Sequence, residues 1–200
     1  MSRVEEILEY WFGTSPDDLQ VLAQKGKLWF GKDEQVDAEI RQRFGALITS
    51  VGQQGLLDGP ESEAFRYLAT ILLLDQFTRN VFRGERRAFA SDPLALQLAL
   101  AALQCEHDLV LRPIERVFIY LPLEHSEDLP LQNRSVELFQ GLLDAVPAAG
   151  KKAFAGFLDY AVRHQEIIAR FGRFPHRNAI LGRESSAAEL EFLNQPNSSF

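Results

Sequence analysis

The sequence predicts an all-α protein of about eight helices, packed as stacked antiparallel hairpins in a single domain over residues 1–200. Apolar residues recur at helical spacing along most of the chain. Helix-start signals and proline or glycine breaks divide these stretches, and the capping boxes at Ser2 and Ser186 are the clearest starts. No segment has the alternating pattern of a strand bounded by turns.

The first helix is expected to begin at the Ser2 capping box and to end at Gly13. A second helix is expected from about residue 33 to residue 51, where apolar residues again lie on one stripe. Between them, residues 14–32 have a looser pattern. Only a short helix after Pro16 is expected there, and the structure of this segment is left open.

The third helix, over residues 65–82, is the most unusual, because it is apolar on all sides and then becomes charged. A helix that is apolar all round is buried. Asp75 and Arg79 share the face that Leu68 and Leu72 occupy one to two turns earlier, and Asn80 follows directly. Buried ions cost several kcal/mol each unless they are paired. The sequence therefore predicts a polar site inside the protein.

The C-terminal half contains the remaining helices, most of which start at proline or capping signals. We expect them over residues 92–105, 113–121, 129–143 and 151–171, and from Ser186 to Pro196. In the second of these, Pro122 is expected to end the helix. No linker rich in proline, glycine or serine divides the chain.

Composition excludes several classes of partner. The net charge of −7 argues against nucleic acid, because phosphate binding needs a basic surface. No apolar stretch approaches the roughly 20 residues that span a bilayer, and the N-terminal segment is not a signal peptide. Cys105 is the only cysteine, which fits a reducing compartment. We expect a cytoplasmic protein with neither nucleic acid nor membrane as a partner.

Two further segments place ionisable groups where burial is expected. His164 lies in the middle of an apolar stripe, where a histidine is ordinarily a core residue hydrogen-bonded to a neighbour. Glu124, His125 and Glu127 follow the break expected at Pro122. They are either a solvated acidic helix start or part of the polar interior. The flanking Leu121 and Leu123 favour the interior.

The segment after the last long helix is rich in cationic side chains, with Arg173, His176, Arg177 and Asn178 close to two phenylalanines. Cations at a helix C-terminus can simply complement the helix dipole. We favour a packed loop that turns these groups toward the carboxylates. The abundance of arginine and the lack of any His-Glu-x-x-His or paired-cysteine motif argue against a metal ion, so no metal or other cofactor is expected.

Several of these segments carry a family resemblance: residues 72–80, 120–128 and 170–185, together with the start at residues 4–13 and the end at Phe192, Leu193, Ser199 and Phe200. They resemble the bacterial family catalogued as domain of unknown function 924. The resemblance implies an all-helical fold like that of tetratricopeptide repeats. It implies no established activity.

Three hypotheses follow for the polar residues. The first is a pocket for a small anionic molecule, with His164 and Glu124 as candidates for acid–base catalysis. The second is a module that binds a peptide or protein on a concave helical surface. The third is a buried ion network with a purely structural role. The residues predicted to bind the anionic ligand are Asp75, Arg79, Asn80, Glu124, His125, Glu127, His164, Arg173, His176, Arg177 and Asn178.

Overall fold

The computed structural model describes residues 1–196 and 198–199, with Gln54 described in its backbone only. Phe200, part of the family resemblance, lies outside these residues. Within them the chain forms ten helices and no strand, which confirms the predicted all-α class. The helices are α1 Arg3–Phe12, α2 Asp18–Phe30, α3 Glu34–Gln54, α4 (Glu63–Ile71, Leu72–Phe77 and Thr78–Val81 in continuous succession), α5 Asp92–Gln104, α6 Pro113–Glu124, α7 Leu129–Ala145, α8 Lys151–Phe171, α9 Asn178–Leu181 and α10 Ala187–Leu193.

Local capping signals place the ends of several helices as expected. The Ser2 hydroxyl accepts a hydrogen bond from the Glu5 backbone amide at 3.0 Å, and the Glu5 carboxylate accepts one from the Ser2 amide at 2.8 Å. Ser186 and Glu189 repeat this capping box at α10. At the end of α8, Gly172 has φ of 68°, a left-handed conformation that glycine adopts without steric cost.

Residues 14–32, for which at most a short helix was expected, contain the 13-residue α2. Its weak pattern has a simple cause, since only Val21 and Trp29 of this helix are buried. The Asp17 carboxylate caps the helix by accepting from the amides of Leu19 and Gln20 at 2.8 and 2.9 Å. The indole N–H of Trp29 donates to the Trp11 carbonyl at 3.0 Å and ties α2 to α1.

The prediction that Pro122 ends α6 is wrong, because the helix continues through Glu124. Proline removes one backbone donor and crowds the preceding turn. Only the bond that residue 122 would donate is lost, and beyond it the His125 backbone amide still donates to the Leu121 carbonyl at 2.8 Å. As a result Glu124 lies inside the buried end of a helix and not in a loop.

Helix α4 runs through the centre of the molecule and packs against α1, α3, α5 and α6. Aromatic rings fill the space around it. Trp11 contacts Phe77 and Phe118 at centroid distances of 5.1 and 5.6 Å. Helices α7 and α8 form an extensive pair on the other side of α6. The middle of α4, the end of α6 and helix α8 therefore meet, which is where the polar residues lie.

None of the helices in the described part of the chain combines the length and apolar composition that a bilayer crossing requires.

Candidate functional site

The centre of α4 is not an ordinary α-helix. Residues Leu72–Phe77 form a π-helix, and all six are buried. A π-helix bonds residue i to residue i+5, so it rotates the following side chains away from the positions that a 3.6-residue period predicts. Segments of this kind are found frequently at functional sites. Asp75 lies inside this segment and has no exposed surface.

Asp75 is held by three groups. Its Oδ1 lies 2.7 Å from Nδ1 of His125, and its Oδ2 accepts a hydrogen bond from the side-chain amide of Gln76 at 2.5 Å. The Arg79 guanidinium lies 3.7 Å from Oδ1. Burial by itself raises the pKa of Asp75, but His125, Arg79 and the hydrogen bonds outweigh burial and lower it. The buried carboxyl group therefore stays ionised.

A second carboxylate, that of Asp92 at the start of α5, lies between two arginines. Its Oδ1 is 2.8 Å from Arg79 and its Oδ2 is 3.6 Å from Arg177. Arg177 also donates to the backbone carbonyl of His125 at 3.0 Å. Burial and the nearby charge of Arg79 lower the pKa of Arg177 to about 10. These contacts join α4, α5, the end of α6 and the 3₁₀ segment Pro175–Arg177 into one polar cluster.

Glu124 and His164 form a second deeply buried part of this cluster, and each is only 3% exposed. Nδ1 of His164 lies 2.8 Å from the Tyr160 carbonyl and 3.1 Å from Oε1 of Glu124. Burial, with the charge of Asp75, raises the pKa of Glu124 to about 8. Burial, with the charge of His125, lowers the pKa of His164 to about 3. At neutral pH a largely protonated acid therefore lies beside a neutral imidazole.

Four buried polar atoms of the cluster have no hydrogen-bond partner among the described residues. Two of them, Nη2 of Arg79 and Oδ1 of Asp92, lie 2.8 Å apart as an ion pair. The other two are Oε2 of Glu124 and Nε of Arg177. Buried polar atoms are normally satisfied, because leaving one unpaired costs about 1–3 kcal/mol. These atoms are therefore the ones best suited to contact a bound molecule or ion.

Three of the predicted ligand residues belong to a neighbouring network, which is closed by its own contacts. Arg183 binds the Glu127 carboxylate with two hydrogen bonds of 2.6 and 2.9 Å. Arg173 binds Glu189 in the same two-point manner at 2.6 and 2.7 Å. Asn178 contacts Glu189 at 3.3 Å and accepts from Arg183 at 2.9 Å. Glu127, Arg173 and Asn178 thus hold the C-terminal segment in place.

Asn80 does not join the cluster either. Its side-chain amide donates to Asp37 of α3 at 2.8 Å, and Asp37 also receives two hydrogen bonds from Arg83 at 2.6 and 2.8 Å. Asn80 follows Arg79 directly, and adjacent helical residues point in different directions. It therefore joins α4 to α3, on a different face from Asp75.

His176 lies at the edge of the cluster and is partly buried. Its ring is 5.6 Å from the ring of Phe174, which in turn is 5.4 Å from the ring of His164. Burial, with the positive charge of Arg177, lowers the pKa of His176 to about 4. Of the predicted ligand residues, the structure thus groups Asp75, Arg79, Glu124, His125, His164 and Arg177 together, with His176 beside them.

Sequence reasoning missed Asp92 and Phe89. In the sequence Asp92 precedes a proline at a helix start, so it was interpreted only as part of that start and not as a site residue. The Phe89 ring lies 4.6 Å from the guanidinium carbon of Arg79 and 4.9 Å from that of Arg177. It also lines a cavity of about 310 Å³, together with Arg86, Arg87, Ala90 and Leu181. A larger cavity, of about 410 Å³, lies between α3 and the end of α4.

Comparisons with known proteins agree with this fold. The solved structure of the protein of unknown function ATU0120 from Agrobacterium tumefaciens is 36% identical in sequence, with 96% of each chain covered and a TM-score of 0.78. No curated protein matches the chain. Residues 7–197 match the family described as bacterial protein of unknown function, DUF924. The chain therefore belongs to the bacterial DUF924 family.

Proposed function

We propose that this protein binds a small anionic molecule, whose acidic group is held by Arg79 and Arg177. The observation that carries the proposal is the position of Phe89. The guanidinium groups of Arg79 and Arg177 pack on the Phe89 ring. The same ring lines the 310 Å³ cavity. A molecule in this cavity is separated from the two arginines by one partly buried aromatic side chain.

Arginine suits this role because its planar fork of N–H donors matches the oxygens of a carboxylate or phosphate. The buried Nε of Arg177 makes no hydrogen bond within the described chain. Arg86 and Arg87 are exposed and line the cavity, so they attract anions to its mouth. Rotation of the Phe89 ring would bring an acidic group into contact with the guanidinium groups.

A purely structural role explains the rest of the polar groups better than it explains this cluster. In the Glu127–Arg183 pair, each charged group meets its partner at two points. Glu124 and Arg177 instead each have a buried atom that makes no hydrogen bond within the described residues. Such atoms also occur outside the cluster, as at Oγ of Ser135, but these two belong to ionisable side chains of one cluster, where a bound molecule would satisfy them.

The test is calorimetric titration with inorganic phosphate, pyrophosphate and succinate, each measured on the parent protein and on Arg177→Gln. Arg134→Gln is the matched control, because Arg134 is exposed on α7. We expect at least one probe to bind saturably and to weaken by about 10-fold or more in Arg177→Gln, since a hydrogen bond to a charged group contributes about 1.5–3 kcal/mol. Equal affinities in all three proteins, or no binding of any probe, would refute anion binding at Arg177.

A further inference from the structure

We infer that Glu124, His125 and His164 form a binding site for one divalent transition-metal ion, with Zn²⁺ as the best-matched ion. One oxygen or nitrogen ligand atom from each of these residues lies within 4.8 Å of the other two. Glu124 and His125 come from the end of α6, and His164 comes from the middle of α8. The site is thus formed by the packing of two helices, and for this reason no short sequence motif predicts it.

Two imidazoles and one carboxylate are a ligand set that zinc accepts, with a fourth position left for water or a bound molecule. Zinc bonds of about 2.0–2.2 Å place the ligand atoms of a tetrahedral site about 3.4 Å apart. The observed upper limit is 4.8 Å, so the ligand atoms must come closer by up to about 1.4 Å when the ion binds.

Both histidines already have the supporting contacts that metal-binding histidines usually have. A ligating histidine normally donates its other ring N–H to a carboxylate or to a backbone carbonyl. Nδ1 of His125 lies 2.7 Å from the Asp75 carboxylate, and Nδ1 of His164 lies 2.8 Å from the Tyr160 carbonyl. These contacts orient each ring and hold its proton on Nδ1.

The carboxylate of Glu124 also favours a metal ion, because it lacks a positive partner among the described side chains. It is buried, its Oε2 has no hydrogen-bond partner, and no arginine or lysine pairs with it within the described residues. The nearby guanidinium groups of Arg79 and Arg177 contact Asp92 and not Glu124. The abundance of arginine argued against a metal ion at the level of the sequence. In the structure, however, none of the described arginines pairs with Glu124. A metal ion supplies the missing positive partner.

The experiment uses chelator-treated protein without a polyhistidine tag. Zn²⁺ is titrated by calorimetry, and Co²⁺ is titrated by visible absorption, which reports its coordination. We expect one equivalent of each ion to bind. Asp75→Asn, which removes the supporting carboxylate, should weaken binding about 10–100-fold, and Glu124→Gln or His125→Gln should weaken it further. His107→Gln is the matched control, because His107 lies near Tyr67 and Glu63 and should bind as the parent does.

Circular dichroism verifies that each variant is folded, and the isosteric Glu124→Gln provides a test if His125→Gln fails to fold. Failure of the parent protein to bind either ion would overturn the inference, as would unchanged affinity in Glu124→Gln. The inference is independent of anion binding. Arg177→Gln should lose the anion and keep the metal, so the two proposals can fail separately.

Discussion

Replacing Glu124 by glutamine should change how stability depends on pH. In the metal-free fold, burial and the charge of Asp75 raise the pKa of Glu124 to about 8, from an ordinary value of 4.5. Between these two pH values the folded protein keeps a proton that the unfolded chain has lost. The free energy of unfolding therefore falls as the pH rises through this range. Glutamine is neutral and of the same shape, so the variant lacks this contribution.

The size of the effect follows from the two pKa values. Each pH unit between them costs the parent about 1.4 kcal/mol of stability. From about pH 5 to about pH 7.5, the parent should lose about 3 kcal/mol relative to Glu124→Gln. The glutamine amide must also find an acceptor, at a cost of about 1–3 kcal/mol. That cost is the same at every pH. The pH dependence of the difference in unfolding free energy between the parent and Glu124→Gln therefore reports the buried carboxyl group alone.

The assay is urea unfolding of both proteins across this pH range with a chelator present, followed by far-ultraviolet circular dichroism. The m-value should be equal in the two proteins, because both expose the same surface on unfolding. The control is Glu137→Gln, which changes an exposed carboxylate of α7. Parallel pH profiles for the parent and Glu124→Gln would refute the claim that Glu124 is a buried acid with no arginine or lysine partner among the described residues.

Three further predictions concern the rest of the molecule. The paired Arg183 lowers the pKa of Glu127 against the effect of burial, so this pair should stabilise the fold above about pH 4.5 and lose its contribution as the pH falls through the lowered pKa. Glu127→Gln should flatten that part of the acid-unfolding profile, and an unchanged profile would contradict the assignment. Phe118→Ala should cost about 3–5 kcal/mol in urea unfolding, because its ring is fully buried among Trp11 and other aromatic rings; a loss below about 1 kcal/mol would mean that the aromatic centre is loosely packed. Ser186→Ala should lower the free energy of unfolding by about 1 kcal/mol and speed backbone amide hydrogen exchange in α10. Exchange at the parent's rate would show that the capping box does not hold this helix.

Much of the helical architecture could be predicted from short stretches of sequence. The capping boxes at Ser2 and Ser186 and the glycine after α8 placed helix ends, because these signals act on backbone groups within a few residues. The weak periodicity of α2 and the short α9 explain why about eight helices were expected and ten are present in the described part of the chain. The burial of Asp75 was also expected, because apolar residues surround it along its own helix.

The partners of the buried charges could not be predicted in the same way. Asp92 pairs with Arg79, although the sequence pattern indicated only that Asp92 begins a helix. Asn80, adjacent to Arg79, faces α3 because successive residues of a helix point in different directions. The π-helix at Leu72–Phe77 shifts the faces of α4 in a way that no 3.6-residue period describes.

The sequence by itself determined that this chain is helical, that charged groups enter its interior, and which segments carry them. Only the tertiary structure decided which of those groups meet. The physical reason is range: caps and apolar stripes act within one or two helical turns, whereas Asp75 and His125 are 50 positions apart and are joined by the packing of α4 against α6.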